Sequence, residues 1–86
     1  MRTKKYKPLT EYLLKVDSNE ITLTISEIEK IIDDKLPISA FKYSAWWSNY
    51  DEAHSHCAGW INAGFEVANG RGVLLTHRVV FVKNEE

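Results

Sequence analysis

Ile21-Thr22-Leu23-Thr24-Ile25-Ser26-Glu27-Ile28-Glu29-Lys30-Ile31-Ile32 changes its hydrophobic period partway along. Ile21, Leu23 and Ile25 alternate with Thr22 and Thr24, the pattern of a half-buried strand rich in β-branched residues. From Ser26 the spacing becomes helical. Ser26-Glu27-Ile28-Glu29 matches a capping box, in which the first side chain accepts from the N3 amide and the Glu returns to the cap amide. Ile28, Ile31 and Ile32 then supply a buried stripe. A strand running directly into a helix makes the chain α+β.

Working outward, Pro8 suits the first turn of an earlier helix, because its missing N–H has no partner there anyway. Leu9, Tyr12, Leu13 and Val16 line one face of that helix, and Asp17-Ser18-Asn19 ends it with turn chemistry. After the stripe, Asp33-Asp34-Lys35 stops the second helix. Leu36 is extended ahead of Pro37, which starts a short third helix through Ala40, Phe41 and Tyr43. Residues 44–50 keep no clean period. Asp51 is a candidate N-cap for a fourth helix with Ala53, Cys57, Trp60 and Ile61 on one face and Gly64 as its left-handed stop. Phe65 and Val67 flank Glu66 in a strand, Asn69-Gly70-Arg71-Gly72 carries the composition of a hairpin turn, and Val73–Val82 reads as a long strand broken at Thr76-His77-Arg78. The expected order is helix-strand-helix-helix-helix-β hairpin, close to that of a winged helix, with the third or the fourth helix in the recognition position. The division is a basic arm (1–7), one compact domain (8–83) and a short tail (84–86).

At 86 residues there is room for one domain, and its 44% hydrophobic and 27% charged residues exclude collagen-like and low-complexity chains. The net charge of −1 and a pI of 6.3 argue against a protein that coats nucleic acid by charge alone, since such domains have pI values above about 9. Charge is nevertheless uneven: Arg2, Lys4, Lys5 and Lys7 crowd the start, and Glu27, Glu29, Asp33 and Asp34 crowd the second helix. A single cysteine, Cys57, allows no intrachain disulfide. With no apolar run long enough to span a membrane and no secretory signal, the expected location is cytoplasmic, and no membrane partner is expected.

Tyr6-Lys7-Pro8-Leu9-Thr10-Glu11-Tyr12-Leu13, LPISA at 36–40, AWWSN at 45–49, His54 and AGWINAGFEV at 58–67 together resemble a small uncharacterised bacterial and phage domain family. Its pattern is K-Y-x-P-L-x-x-Y-L, L-P-x-S-A, W-W-x-N and W-x-x-A-G-W/F-x-V. The resemblance spans nearly the whole chain and brings no established activity, cofactor or catalytic residue. Members occur alone or attached to other modules, which implies a binding accessory. The Asn-Gly-Arg-Gly loop looks longer here than the family pattern.

Two groups of residues are candidates for function. Trp46, Trp47, Ser48, Asn49 and Tyr50 form the first: neighbours on an extended segment point to opposite sides, so one indole is expected in the core, and the other either caps it while Asn49 makes turn or cap hydrogen bonds, or stands on a recognition surface with Ser48, Asn49 and Tyr50. Aromatic and amide groups serve equally to stack on and read bases or to anchor a protein interface. The second group is basic: Lys4, Lys5 and Lys7 in the arm, Lys42 in the third helix, and Arg71 and Arg78 in the hairpin, with Arg71 the wing residue for a minor groove. His54-Ser55-His56-Cys57 does not read as a metal or nucleophilic site. The two rings diverge on a helix, Cys57 falls on its apolar stripe, and His54 is expected to hydrogen-bond near the Trp-Trp segment. No catalytic residue, metal or cofactor is assigned. The expectation is a binding module for DNA, or alternatively for a protein, such as a phage-type inhibitor or adaptor of a host defence or nucleic-acid-processing complex. A homodimer through the apolar edge of the C-terminal strand is a further expectation.

Overall fold

In a computed structural model that describes residues 5–49 and 55–84, the chain folds as α1 (Lys7–Leu14), β1 (Glu20–Thr24), α2 (Ile25–Ile32) and α3 (Ser39–Lys42). A 3-10 turn over Ser44–Trp47 and another over Ser55–Cys57 lead to α4 (Ala58–Ile61), β2 (Phe65–Val67), α5 (Gly70–Thr76) and β3 (Arg78–Lys83). The α+β class holds. The expected cap at Asp51, with Ala53 and His54, lies outside the described residues.

The capping box sits two residues earlier than expected. Thr24 Oγ1 accepts from the Glu27 amide at 3.1 Å, and Glu27 Oε1 accepts from the Thr24 amide at 2.8 Å. The shift puts Ile25 inside α2, so that Ile25, Ile28 and Ile32 form its buried edge, while Ser26 stays exposed. Glu29, freed from capping, accepts with its carboxylate from the Leu36 amide at 2.9 Å and holds the segment that leaves the helix. Asp33 closes α2 in the left-handed region, at φ 56°.

The three strands form one antiparallel sheet in the order β1-β3-β2. The strand between the first two helices thus pairs with the C-terminal strand. What joins β2 to β3 differs: in place of a hairpin turn at Asn69–Gly72 stands α5. The long strand expected over Val73–Val82 is α5 followed by β3, divided at the Thr76-His77-Arg78 break. A strand would place Val73 and Leu75 on one face. Helical geometry separates them, so Val73 is 0% exposed and Leu75 87%. His77 ends α5 in the left-handed region at φ 59°, and its carbonyl accepts from the Ile25 amide at 2.9 Å.

β3, as the central strand, is paired on both edges, so the expected dimer edge on this strand does not exist. The outer edges are shortened by side chains. Asn19 O accepts from Lys83 N, and Ile25 N donates to His77 O. With Glu20 opposite Val82 and Thr24 opposite Arg78, antiparallel alternation then turns Ile21 and Leu23 toward β3 and Glu20, Thr22 and Thr24 outward. The Ser18 hydroxyl engages both the amide and the carbonyl of Glu20, and Glu27 holds the Thr24 amide. Thr22 is left as the open rung of β1. On β2, Phe65 and Val67 face outward, and Val67 is bonded by Asn49. Where β2 ends, the Asn69 amide continues the ladder, donating to Arg78 O at 2.9 Å and accepting from Val80 N at 2.9 Å.

Helix α1 packs against both α2 and α4. α1 presents Leu9 and Leu13, and Thr10 donates to Gly59 O at 2.7 Å. Gly59 is the close approach: a Cβ there lies 2.9 Å from Tyr6 Cβ, an atom fixed to the backbone. Tyr6 also meets the Trp46 ring edge-on at 6.3 Å. Half-burial, with the nearby Asp34 carboxylate second, pushes the Tyr6 phenol above its ordinary pKa.

Gly59→Ala is expected to destabilise the domain by about 1–3 kcal/mol through overpacking, read by urea unfolding; an unchanged midpoint refutes the close packing of α4 on Tyr6. Because the fold favours the neutral Tyr6 phenol, its contribution is complete below the unfolded pKa of about 10 and is lost as pH rises through the raised folded value. Thermal melts between about pH 8.5 and 11 are expected to fall more steeply for the wild type than for Tyr6→Phe, and parallel curves refute that coupling.

Candidate functional site

Trp46 and Trp47 occupy successive positions of a 3-10 turn and both are buried, at 7% and 2% exposure. The expected split into one core and one surface indole is therefore wrong. At about three residues per turn, adjacent side chains diverge by about 120°, and each indole finds its own slot. Trp47 donates Nε1–H to Ala40 O at 2.9 Å and lies nearly parallel to Trp60, with centroids 5.8 Å apart. Trp46 stacks on His56 at 3.8 Å, and His56 Nε2 is 2.6 Å from Trp46 O. His56 is thus held by Trp46, with Trp60 and Tyr6 at its edges; His54 lies outside the described residues. Cys57 is wholly buried in the core, as its place on the apolar stripe implied.

Asn49 ties these parts together. Its Oδ1 accepts from Trp60 Nε1 and from Val67 N, each at 2.9 Å, and its Nδ2 donates to Val67 O at 3.1 Å. The side chain acts as one more strand residue along β2. An amide committed in this way is not free to read a base or a partner. Ser48 is half-buried beside it, and Tyr50 lies outside the described residues.

The basic candidates separate. Lys4 is outside the described residues. Lys5 reaches Asp34 at 3.7 Å and lies over the Tyr6 ring, while Lys7 opens α1. Lys42, Arg71 and Arg78 are exposed on α3, α5 and the start of β3, and these elements meet. The edge of Phe41 contacts the His77 ring at 5.8 Å, and α5 also packs on the Ser44–Trp47 turn. Arg71 therefore belongs to a helix and not to a wing tip. A cleft of about 500 Å³ between the turn, β2 and α5 brings it together with Ser44, Trp47, Ser48, Asn49 and Glu66.

The layer made by α3, the 3-10 turn and α5 has two properties that the motifs of the sequence do not announce. Neither 35–49 nor 67–82 contains an Asp or Glu. These stretches also carry Ile38, Phe41, Tyr43 and Leu75, large apolar side chains that are 69%, 38%, 60% and 87% exposed. The first property is readable as a gap in acidic residues. The second is hidden when Phe41 is read only as part of a short helix and Leu75 as part of a long strand.

Fold and layer together describe a small α+β domain with a side-chain-locked aromatic core and an exposed apolar, cationic layer. The chain belongs to the family described as Domain of unknown function (DUF7662), whose model matches residues 6–85, which agrees with the expected uncharacterised small-domain family. No curated protein and no solved structure matches the chain.

Asn49→Ala strands two donors, the Trp60 indole N–H and the Val67 amide. It is expected to destabilise by about 2–4 kcal/mol, given about 1–3 kcal/mol for each unsatisfied buried group. Asn62→Ala, on an exposed residue, is the control. Equal denaturation midpoints for the two variants refute the clip.

Proposed function

We propose that the protein is a non-enzymatic, cytoplasmic binding module whose partner is another protein, docked on the layer of α3, the 3-10 turn and α5. The observation that carries this reading is the gathering of Ile38, Phe41, Tyr43 and Leu75 at the surface of segments without a single acid. Exposed apolar and aromatic groups beside Arg are the ordinary composition of a protein-binding patch. Lys42, Arg71 and Arg78 select for a partner of acidic surface and speed its encounter.

Duplex DNA is the second reading, favoured by the same three cations and by the winged-helix-like order of the elements. Against it, α3 has four residues, about 6 Å of helix, and α4 is no longer, so neither reaches along a major groove. The wing position is filled by α5, whose Leu75 side chain would meet phosphates. Protein is therefore the better match.

Leu75→Ser and Ile38→Ser are expected to leave the thermal midpoint nearly unchanged, as exposed substitutions do within about 0.5 kcal/mol. Both are expected to abolish partner crosslinks that a control substitution on α2, Lys30→Glu, leaves intact. Fluorescence anisotropy with a labelled duplex at about 50 and 200 mM salt is expected to show no binding at micromolar protein. Salt-steep duplex binding lost in Lys42→Glu/Arg71→Glu would overturn the protein reading in favour of DNA.

A further inference from the structure

The same layer contains a groove of about 510 Å³ between α3 and the 3-10 turn, lined by Ser39, Tyr43, Ala45, Trp46 and His56. Its floor is built from packed rings. The Trp46 and His56 rings lie at 10° to each other and 3.8 Å apart, His56 Nε2 is 2.6 Å from Trp46 O, and the Trp47 ring abuts Trp46 edge-on at 4.7 Å. Its walls, Tyr43 and Ala45, are exposed. Preformed apolar pockets of about 300–1,000 Å³ are where recognition concentrates, and interface energy gathers where one large side chain fills such a pocket. Lys42 is next to Tyr43 in the chain, and no acid occurs in 35–49, so the segment that supplies two walls and part of the floor carries only positive charge. The cleft beside Arg71 offers less. Its amide, Asn49, is committed to Trp60 and Val67, and Glu66 opposes the arginine across it.

Resting on the protein-binding reading above, we infer that the partner presents a short acidic segment with one large apolar side chain, which seats in the groove over Trp46 while its carboxylates meet Lys42 and the arginines at the two ends of α5. The apolar side chain supplies affinity by displacing water from a floor that needs no rearrangement, and the carboxylates fix the direction of the segment.

The test is selection of a phage-displayed random peptide library on the immobilised wild-type protein, followed by binding of the enriched peptides to variants. The expected consensus is a single Phe, Leu, Trp or Met flanked by Asp and Glu, with affinity reduced at least about tenfold, a clear step in Kd, by Ala45→Trp, which fills the groove. If Ala45→Trp lowers the melting temperature, Tyr43→Ala, which removes an exposed wall, replaces it and is expected to weaken binding by the same factor. Acidic peptides that need Lys42 and Arg71 but bind Ala45→Trp as well as wild type would overturn the anchor and leave the docking layer standing. Peptides indifferent to Ala45→Trp and to Lys42→Glu/Arg71→Glu alike would overturn both. A consensus without acids, or no enrichment at all, overturns the inference, and displacement of the peptides by duplex DNA returns the layer to nucleic acid.

Discussion

The side chain of Asn49 is the constraint on which the rest of this domain depends. One amide receives an indole N–H from α4 and satisfies both backbone groups of Val67 on β2. It thereby joins the Trp-Trp turn, the last helix before the sheet edge and that edge itself. In a chain of 86 residues a thin core leaves little surplus stability. Three indoles bring much apolar area but also three N–H donors that need partners when buried. Ala40 O and Asn49 Oδ1 supply two of those partners. The pairing of adjacent tryptophans with an asparagine is thus a structural motif: the aromatics fill the core and the amide makes their burial tolerable.

Because that motif is spent internally, the proposed function rests on other residues. With Trp46 and Trp47 buried, the remaining large apolar groups at the surface lie mainly on α3, the residues beside it and α5. The core and the exposed layer are nonetheless one structure. Trp46 is buried on its Trp47 side and floors the groove on another, so the packing that stabilises the fold also shapes the proposed binding surface.

Much of the architecture was legible in the residues. The strand-to-helix switch at Ile21–Ile32, the stop at Gly64 with φ 84° and the burial of Cys57 all follow from period and composition. What was not legible has identifiable causes. Thr24-Ile25-Ser26-Glu27 and Ser26-Glu27-Ile28-Glu29 are both capping boxes by pattern. The first forms because it turns Ile25 inward, a tertiary gain that no local rule records. Asn69-Gly70-Arg71-Gly72 has hairpin composition, yet the Asn69 side chain pairs with Arg78 and Val80 and leaves the following residues to coil into α5. Likewise, the fate of Trp46 and Trp47 depended on whether the turn is extended or 3-10, a difference that two neighbouring letters do not encode.

The sheet has a consequence for how such a domain lives among its neighbours. A three-stranded sheet offers two long rows of amides and carbonyls to any passing strand, which is the usual route to cross-seeding and fibril growth. Here Ser18, Glu27 and Asn49 occupy those rows until little more than Thr22 on one side and Phe65 on the other is left open. Among the described residues, the backbone of the sheet therefore offers a further strand only isolated rungs. Contacts made over this sheet are then left to side chains, which can vary without disturbing the ladder beneath them.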